Sequence, residues 1–205
     1  MMEMQHGRSN DVERFDRWAP TYDAFWGQRY VDRIHELMLQ TVRENRDGAP
    51  VAILDVGCGT GRLLEKAAAL WPDTSLVGVD PAPGMIEVAR KRIPNATMEA
   101  AVAEALPLPD ASVDVVLSCL SLHHWKERLQ GVRETARVLR PGGCLCLADI
   151  TVPGWVSRLF HGVRAASPDA LRSLVEQAGF CVEKRRFTMG RMVCLMLGRN
   201  SGSQA

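Results

Sequence analysis

No run in this 205-residue sequence approaches the ~18 consecutive apolar residues that a membrane-spanning helix needs. Residues 1–10 are polar and lack the apolar centre of a secretory leader, so neither a span nor a leader is expected. There is no internal repeat and no C-x-x-C pair, which argues against a zinc ribbon or a thioredoxin-type site. The six cysteines are Cys58, Cys119, Cys144, Cys146, Cys181 and Cys194, and most lie in apolar runs where a thiol acts as a small hydrophobe. Cys144 and Cys146 fall on the same side of a strand, a poor geometry for a mutual disulfide. Reduced thiols and a cytoplasmic location are the expectation. Charge is nearly balanced at +1, so no general attraction to nucleic acid follows. After Ile150 there are eight Lys/Arg against three Asp/Glu, which makes the late segment mildly basic, and a solvated surface explains that. What remains is an ordinary globular composition, 46% hydrophobic and 24% charged, long enough for one sizeable core.

Aromatic and aliphatic residues recur at threes and fours through Val12, Phe15, Trp18, Tyr22, Phe25 and Trp26. Pro20 breaks that pattern, so two short helices should meet near residues 19–21, followed by a helix over 28–44. From residue 51 the chain alternates. Strands are expected at 51–56, 75–79, 96–101, 113–119 and 144–148, with helices starting near Arg62 and spanning 85–91 and 129–139. A small amphipathic helix is expected around Trp155–Val163. A second is expected over 168–178, with Ser167 as N-cap, Pro168 in the first position and Gly179 just past the end. Phe180–Phe187 and Met192–Leu197 are then separated by four residues, as in an antiparallel hairpin.

The stretch Val51-Ala-Ile-Leu-Asp-Val-Gly-Cys-Gly-Thr-Gly61 reads as a doubly buried strand, a glycine turn and a helix start. Such a turn presents free N–H groups and the positive end of a helix to a ligand. A nicotinamide-binding turn would carry its third glycine at position 62, where Arg62 stands. Asp80 ends the next strand, 19 residues after Gly61, where a carboxylate can accept from both hydroxyls of a ribose.

Five successive motifs carry a resemblance over about residues 15–197: Leu54–Gly61, Val77–Asp80, Ala105–Asp110, Leu122–Trp125 and Arg137–Gly143. Together with Trp18-Ala-Pro-Thr-Tyr22-Asp23 they resemble the class I S-adenosylmethionine-dependent methyltransferases, in particular the small-molecule group that includes the ubiquinone/menaquinone biosynthesis C-methyltransferases. The resemblance implies an α/β fold. Its sheet is Rossmann-like, seven-stranded and mostly parallel, with helices on both faces and the last strand antiparallel, in a single domain. It implies a helical cap over residues 1–49, a methyltransferase core over 50–199 and a flexible tail at 200–205. It implies S-adenosylmethionine as cofactor and S-adenosylhomocysteine as product; no metal is expected, because no further carboxylate set clusters on one loop.

In that reading Gly57, Cys58, Gly59 and Gly61 lie under the methionine part of the cofactor, and Asp80, followed by Pro81, holds the ribose. Met85 packs on the adenine, Ala103 offers its edge a backbone N–H beside Glu104, and Ser118 closes the set at the end of its strand. Val102 stands where many members carry an acidic adenine contact. Asp55 either orders the cofactor's amino group or only braces the turn, and Tyr22 folds over the methionine end. His123 and His124 are the candidate general bases, or else they line the pocket. Asp149, also at a strand end, is a substrate contact or a helix cap. Trp18, Tyr22, Phe25, Trp26, Trp155, Leu159 and Phe160 are expected to form an aromatic lid. The short segment between Asp149 and Ser167 points to a small, partly apolar acceptor as partner. Two other classes stay open: a non-catalytic protein that binds the same cofactor, and a nicotinamide oxidoreductase.

Overall fold

From residue 52 onward the apolar runs become strands and the amphipathic stretches become helices, in alternation. A computed structural model describes residues 3–24, 27–153 and 165–200, with side chains from residue 11 onward except at 191. Helix α1 (Glu3–Trp18) runs into a 3-10 turn (Ala19–Ala24), and α2 (Gln28–Glu44) follows. Then come β1 (Ala52–Val56), α3 (Arg62–Leu70), β2 (Ser75–Asp80), α4 (Pro83–Arg92), β3 (Thr97–Ala100), β4 (Val113–Cys119), α5 (Arg128–Val138) and β5 (Leu139–Ile150). The chain closes with α6 (Pro168–Gln177), β6 (Phe180–Thr188) and β7 (Val193–Asn200). The strands form one sheet in the order β3-β2-β1-β4-β5-β7-β6. Pairing is parallel except that β7 runs antiparallel to both β5 and β6, as the sequence led us to expect.

Two cores sandwich the sheet, and the strand period of two assigns residues to them. Ile53, Val115, Leu117, Cys146 and Leu195 face one core, built with α2, α3 and α4 through Ile34, Met38, Leu64 and Ile86. Leu54, Val116, Leu145, Cys194 and Met196 face the other, built with α5 and α6 through Val132, Ala136, Leu171 and Val175. Helix α2 thus belongs to the packing of the sheet itself. Ala19 of the 3-10 turn instead joins a small separate cluster with Ala82 and Met85.

Five boundaries differ from the sequence reading. Helix α1 begins at Glu3, ahead of the periodic residues. Helix α4 starts at Pro83, whose fixed φ suits the first helical turn, where a longer turn had been expected. The third strand is shorter than expected, Thr97–Ala100. Residues 140–143, read as a loop, lie inside β5. Leu139 pairs with Val113, the next pairing is Val115 with Cys144, and the extra residues bulge out with Gly142 at φ 76°. Arg140 at the bulge meets Asp114 at 3.0 Å, and the Asp114 carboxylate also accepts from the N–H groups of Val51 and Ala52 at the start of β1. Asn200, placed in the tail by sequence, ends β7 and donates its amide to the carbonyls of Ala136 and Leu139. The Trp155–Val163 helix, with His161, and the lid positions Phe25, Trp26, Leu159 and Phe160 lie outside the described residues.

The turn after β1 depends on one close approach. Gly57 has φ 75°, and a Cβ there would stand 2.4 Å from the Ser121 side chain. Gly48 has a similar φ of 72° but nothing within 4 Å. Gly57→Ala should therefore cost about 2–4 kcal/mol, backbone strain plus overlap, against about 1 kcal/mol for Gly48→Ala. Urea unfolding of the two variants measures the difference, and equal losses would contradict the role given to Ser121.

Candidate active site

The C-terminal ends of β1, β2 and β4 meet at one cavity of about 440 Å³. The glycine turn forms its floor. Gly57 and Cys58 donate their N–H groups to the Val79 carbonyl at 2.8 and 3.0 Å, and Gly61 donates to Cys58 O at 2.9 Å. Gly59 has φ 51° and open space where its Cβ would be, so a ligand can approach the backbone there. Gly61 is turned away: its missing Cβ makes room for Ala89 of α4 at 3.2 Å.

Asp80 ties the turn to the next helix. Its carboxylate accepts from Gly59 N–H at 3.0 Å and from Ala82 N–H at 2.9 Å. Each oxygen keeps a second lone pair for a ligand. Burial raises its pKa, and the two backbone bonds oppose the rise. Asp55 is 2% exposed and its Oδ1 has no hydrogen-bond partner. Burial, and secondarily the Asp80 charge, push its pKa up to about 8. Asp55 therefore does not brace the turn through Oδ1; that atom is left for a donor from elsewhere.

A clamp from the N-terminal segment covers this floor. Tyr22 lies on the cavity wall and meets Trp18 edge-on at 4.9 Å. Asp23 accepts from the Thr60 hydroxyl at 2.8 Å and pairs with Arg92 of α4, which also donates to Thr60 O at 2.8 Å. Seven residues earlier, in α1, Asp16 accepts from Gly84 N–H at 2.6 Å, at the start of α4.

The two histidines follow β4 and occupy different places. His124 lines the cavity, with Nδ1 3.3 Å from Asp11 Oδ2 and its ring edge-on to Phe15 at 5.2 Å. His123 stands outside the cavity lining and is fixed by Asp149. The Asp149 carboxylate, 2% exposed, accepts from His123 N–H at 2.9 Å and lies 2.6 Å from His123 Nδ1. The two rings are 4.0 Å apart. A carboxylate on Nδ1 selects the tautomer with Nε2 as proton acceptor.

Of the residues singled out from sequence, the cavity brings together Tyr22, Asp55, Gly57, Cys58, Gly59 and Asp80 with Pro81, Met85, Ala103, Glu104 and His124. It does not include Gly61, Ser118 or His123. Ser118 is fully buried and reaches only Ser121, 2.9 Å away, while Ser121 lines the cavity and donates to Val56 O at 2.9 Å. Serine spacing three residues apart in the 118–121 stretch hid which of the two faces the ligand. Glu104 lines the mouth but is engaged by backbone, accepting from Lys126 and Glu127 N–H at 2.5 and 2.8 Å. Gln28, His35 and Arg62 also line the cavity, and sequence reasoning missed them. Gln28 and His35 occupy one face of an amphipathic helix, where the pattern alone reads as packing.

Residues 54–147 match a family model described as a methyltransferase domain. The malonyl-[acyl-carrier protein] O-methyltransferase of Hahella chejuensis is 34% identical over 160 residues, covering 76% of this chain and 56% of that protein. The ubiquinone/menaquinone biosynthesis C-methyltransferase UbiE of Campylobacter jejuni is 29% identical over 196 residues, 85% of this chain and 76% of that protein. The demethylmenaquinone methyltransferase of Chlorobaculum parvum is 31% identical over 156 residues, 71% and 62% respectively. The chain thus spans from 56% to 76% of the length of these relatives. Among solved structures, the [4+2]-cyclase SpnF superposes with a TM-score of 0.82 at 18% identity, covering 94% of this chain and 96% of that one. An S-adenosylmethionine-dependent methyltransferase of Thermotoga maritima gives 0.68 at 23%, covering 91% and 98%. Those two likenesses are of fold.

Burial also gives His35 a measurable signature. Desolvation holds its imidazole down at about 4, below its ordinary 6.5, with the Asp32 charge opposing. Between those values the unfolded chain binds a proton that the folded chain does not, so stability present above about pH 6.5 is lost as pH falls toward 4. The melting temperature should fall across that window, and His35→Phe should flatten part of the fall. An unchanged slope in the variant would contradict the buried, neutral imidazole.

Proposed function

We propose that this chain, whose residues 54–147 match a methyltransferase-domain model, transfers a methyl group from S-adenosylmethionine to a small, partly apolar acceptor and leaves S-adenosylhomocysteine. The observation that carries this reading is that Asp55, Asp80, His124 and the glycine turn all line one cavity. Its volume of about 440 Å³ lies within the ~300–1,000 Å³ of small-ligand sites.

The residues fit the donor. The open side of Gly59 admits a chain against the backbone. Asp80, with a lone pair to spare on each oxygen, can hold two ribose hydroxyls without releasing Gly59 or Ala82. Met85, 2% exposed on the cavity wall, offers a flat apolar contact to a purine. Val102, 47% exposed at the mouth, makes that edge apolar, and Ala103 keeps its backbone N–H for the ring. The buried, unpartnered Asp55 Oδ1 suits an ammonium.

When bound, the donor supplies an electrophilic methyl carbon, so the protein's share is alignment and exclusion of water. Phe15, Tyr22 and Trp125 form apolar parts of the cavity wall. His124, whose Nδ1 meets Asp11, is the first candidate base for a proton on the acceptor's O–H or acidic C–H. His123, fixed by Asp149, is the second candidate base, for an acceptor that reaches past the cavity lining. The relatives are named for demethylmenaquinone and for a malonyl group on an acyl-carrier protein, two different acceptors, so they support methyl transfer without choosing between acceptors. Among the described residues no helix is long and apolar enough to cross a membrane, and six free thiols suit the reducing cytoplasm.

Asp80→Ala removes two hydrogen bonds to a charged acceptor, each worth about 1.5–3 kcal/mol, and should weaken S-adenosylhomocysteine binding at least tenfold by calorimetry. Unchanged affinity would refute the ribose role. With an acceptor found by a methyl-donor turnover screen, His124→Ala should lower kcat by about 10²–10⁴ with S-adenosylhomocysteine affinity retained. A kcat equal to wild type would remove His124 as the base.

A further inference from the structure

The exposed apolar side chains are gathered at one end of the molecule. Among the described residues six large ones are exposed: Tyr30, Val51, Val102, Ile150, Met189 and Met192. Val51 precedes β1, at the end of the sheet away from the cavity. The other five lie at the cavity end. Val102 lines the mouth itself, and Tyr30 stands in the first turn of α2 between Gln28 and Val31, which line the cavity. Ile150 ends β5, which runs parallel to β4 and hence to β1. Strand β7 runs the other way, so the 189–192 turn returns to this same end. There Val193 pairs with Ile150, and Thr151 N–H donates to Met192 O at 2.8 Å.

Single exposed apolar residues are ordinary, but five of six at one end point to a partner. The hairpin tip is the clearest case. Met192 is 61% exposed, and Met189 holds φ 51°, a region usually left to glycine or asparagine. The strands below them are already joined through Phe187–Cys194 and Thr188–Val193, so the two methionines add nothing to the pairing.

The charge at this end selects the partner. On α2, Asp32 faces Arg62 at 2.6 Å and Lys66 at 3.5 Å, and Glu36 faces Lys66 at 3.5 Å. Arg29 and Arg33, one turn apart and both exposed, stand on either side of Tyr30 in sequence. Among the described residues no carboxylate pairs with either of them. A second copy docked by this same face would bring four guanidiniums together, which repel. Lipid phosphates answer guanidiniums, a tyrosine suits the headgroup boundary, and methionines suit the acyl region.

We propose that the cavity end docks on an anionic lipid bilayer, with Ile150, Met189 and Met192 entering the headgroup boundary and Arg29 and Arg33 meeting lipid phosphates. Docked this way, the mouth at Val102 opens toward the bilayer, and an apolar acceptor dissolved there reaches the site without crossing water. That consequence rests on the methyl-transfer reading above; the docking does not, and calorimetry with S-adenosylhomocysteine in the absence of lipid tests that reading separately.

Flotation with two kinds of vesicle tests the docking: phosphatidylcholine alone, and equal parts phosphatidylcholine and phosphatidylglycerol. The protein should bind the mixed vesicles about tenfold more tightly than the neutral ones. Met189→Gln combined with Met192→Gln should weaken binding to mixed vesicles about tenfold. Arg29→Gln combined with Arg33→Gln should erase the preference for anionic lipid. Val51→Gln, at the far end, should bind as wild type does. An unchanged urea midpoint reports that each variant is folded. No binding to either vesicle, equal binding to both, or an equal loss in Val51→Gln would overturn the proposal. So would a dimer in analytical ultracentrifugation that the methionine double variant dissociates, since the face then belongs to a second copy.

Discussion

The Asp80 carboxylate is the joint on which this molecule's ligand side depends. It sits where β2 ends, and it accepts from Gly59 in the turn after β1 and from Ala82 at the start of α4. Two neighbouring strand-to-helix connections are thereby fixed to one half-buried carboxylate. Burial raises the pKa of that group, and the backbone donors hold it down. Around the joint the turn has little freedom: Gly57 is pressed against Ser121, and Gly61 against Ala89. The Gly59 side stays open, so a ligand can meet the turn's backbone there.

A second layer closes over that floor through carboxylates as well as a small apolar cluster. Asp11 reaches His124, Asp16 reaches the first turn of α4, and Asp23 bridges Thr60 and Arg92. Ala19 adds a small apolar contact with Ala82 and Met85. Partly exposed ion pairs contribute little stability each and weaken with salt.

Much of this was legible in the residues. The strand–glycine–helix pattern, Asp80 at its distance from Gly61, and the closing hairpin are local signals, and the sheet follows them with the expected order of pairing. The misses have physical reasons. The β5 bulge at 140–143 looks like a turn because Pro141 and Gly142 are turn residues, and only the Val113–Leu139 pairing shows that the strand has already begun. Ser118 and Ser121 are equivalent in composition, and the bend after Cys119, with Leu120 at φ 53°, decides which one meets the cavity. Gln28 and His35 sit in a helix whose periodicity announces burial, and periodicity does not record that Gln28 Oε1 and His35 Nδ1 lack partners. Asp149 is a strand-end residue in either reading, and its service to His123 appears only when β4 and β5 lie side by side.

The central claim is that this cavity holds a sulfonium methyl donor rather than a nicotinamide dinucleotide. Titration calorimetry of the purified chain with S-adenosylhomocysteine and, separately, with NADH tests it most directly. The account predicts one S-adenosylhomocysteine per chain and no measurable heat from NADH. Saturable NADH binding with no response to S-adenosylhomocysteine would contradict it.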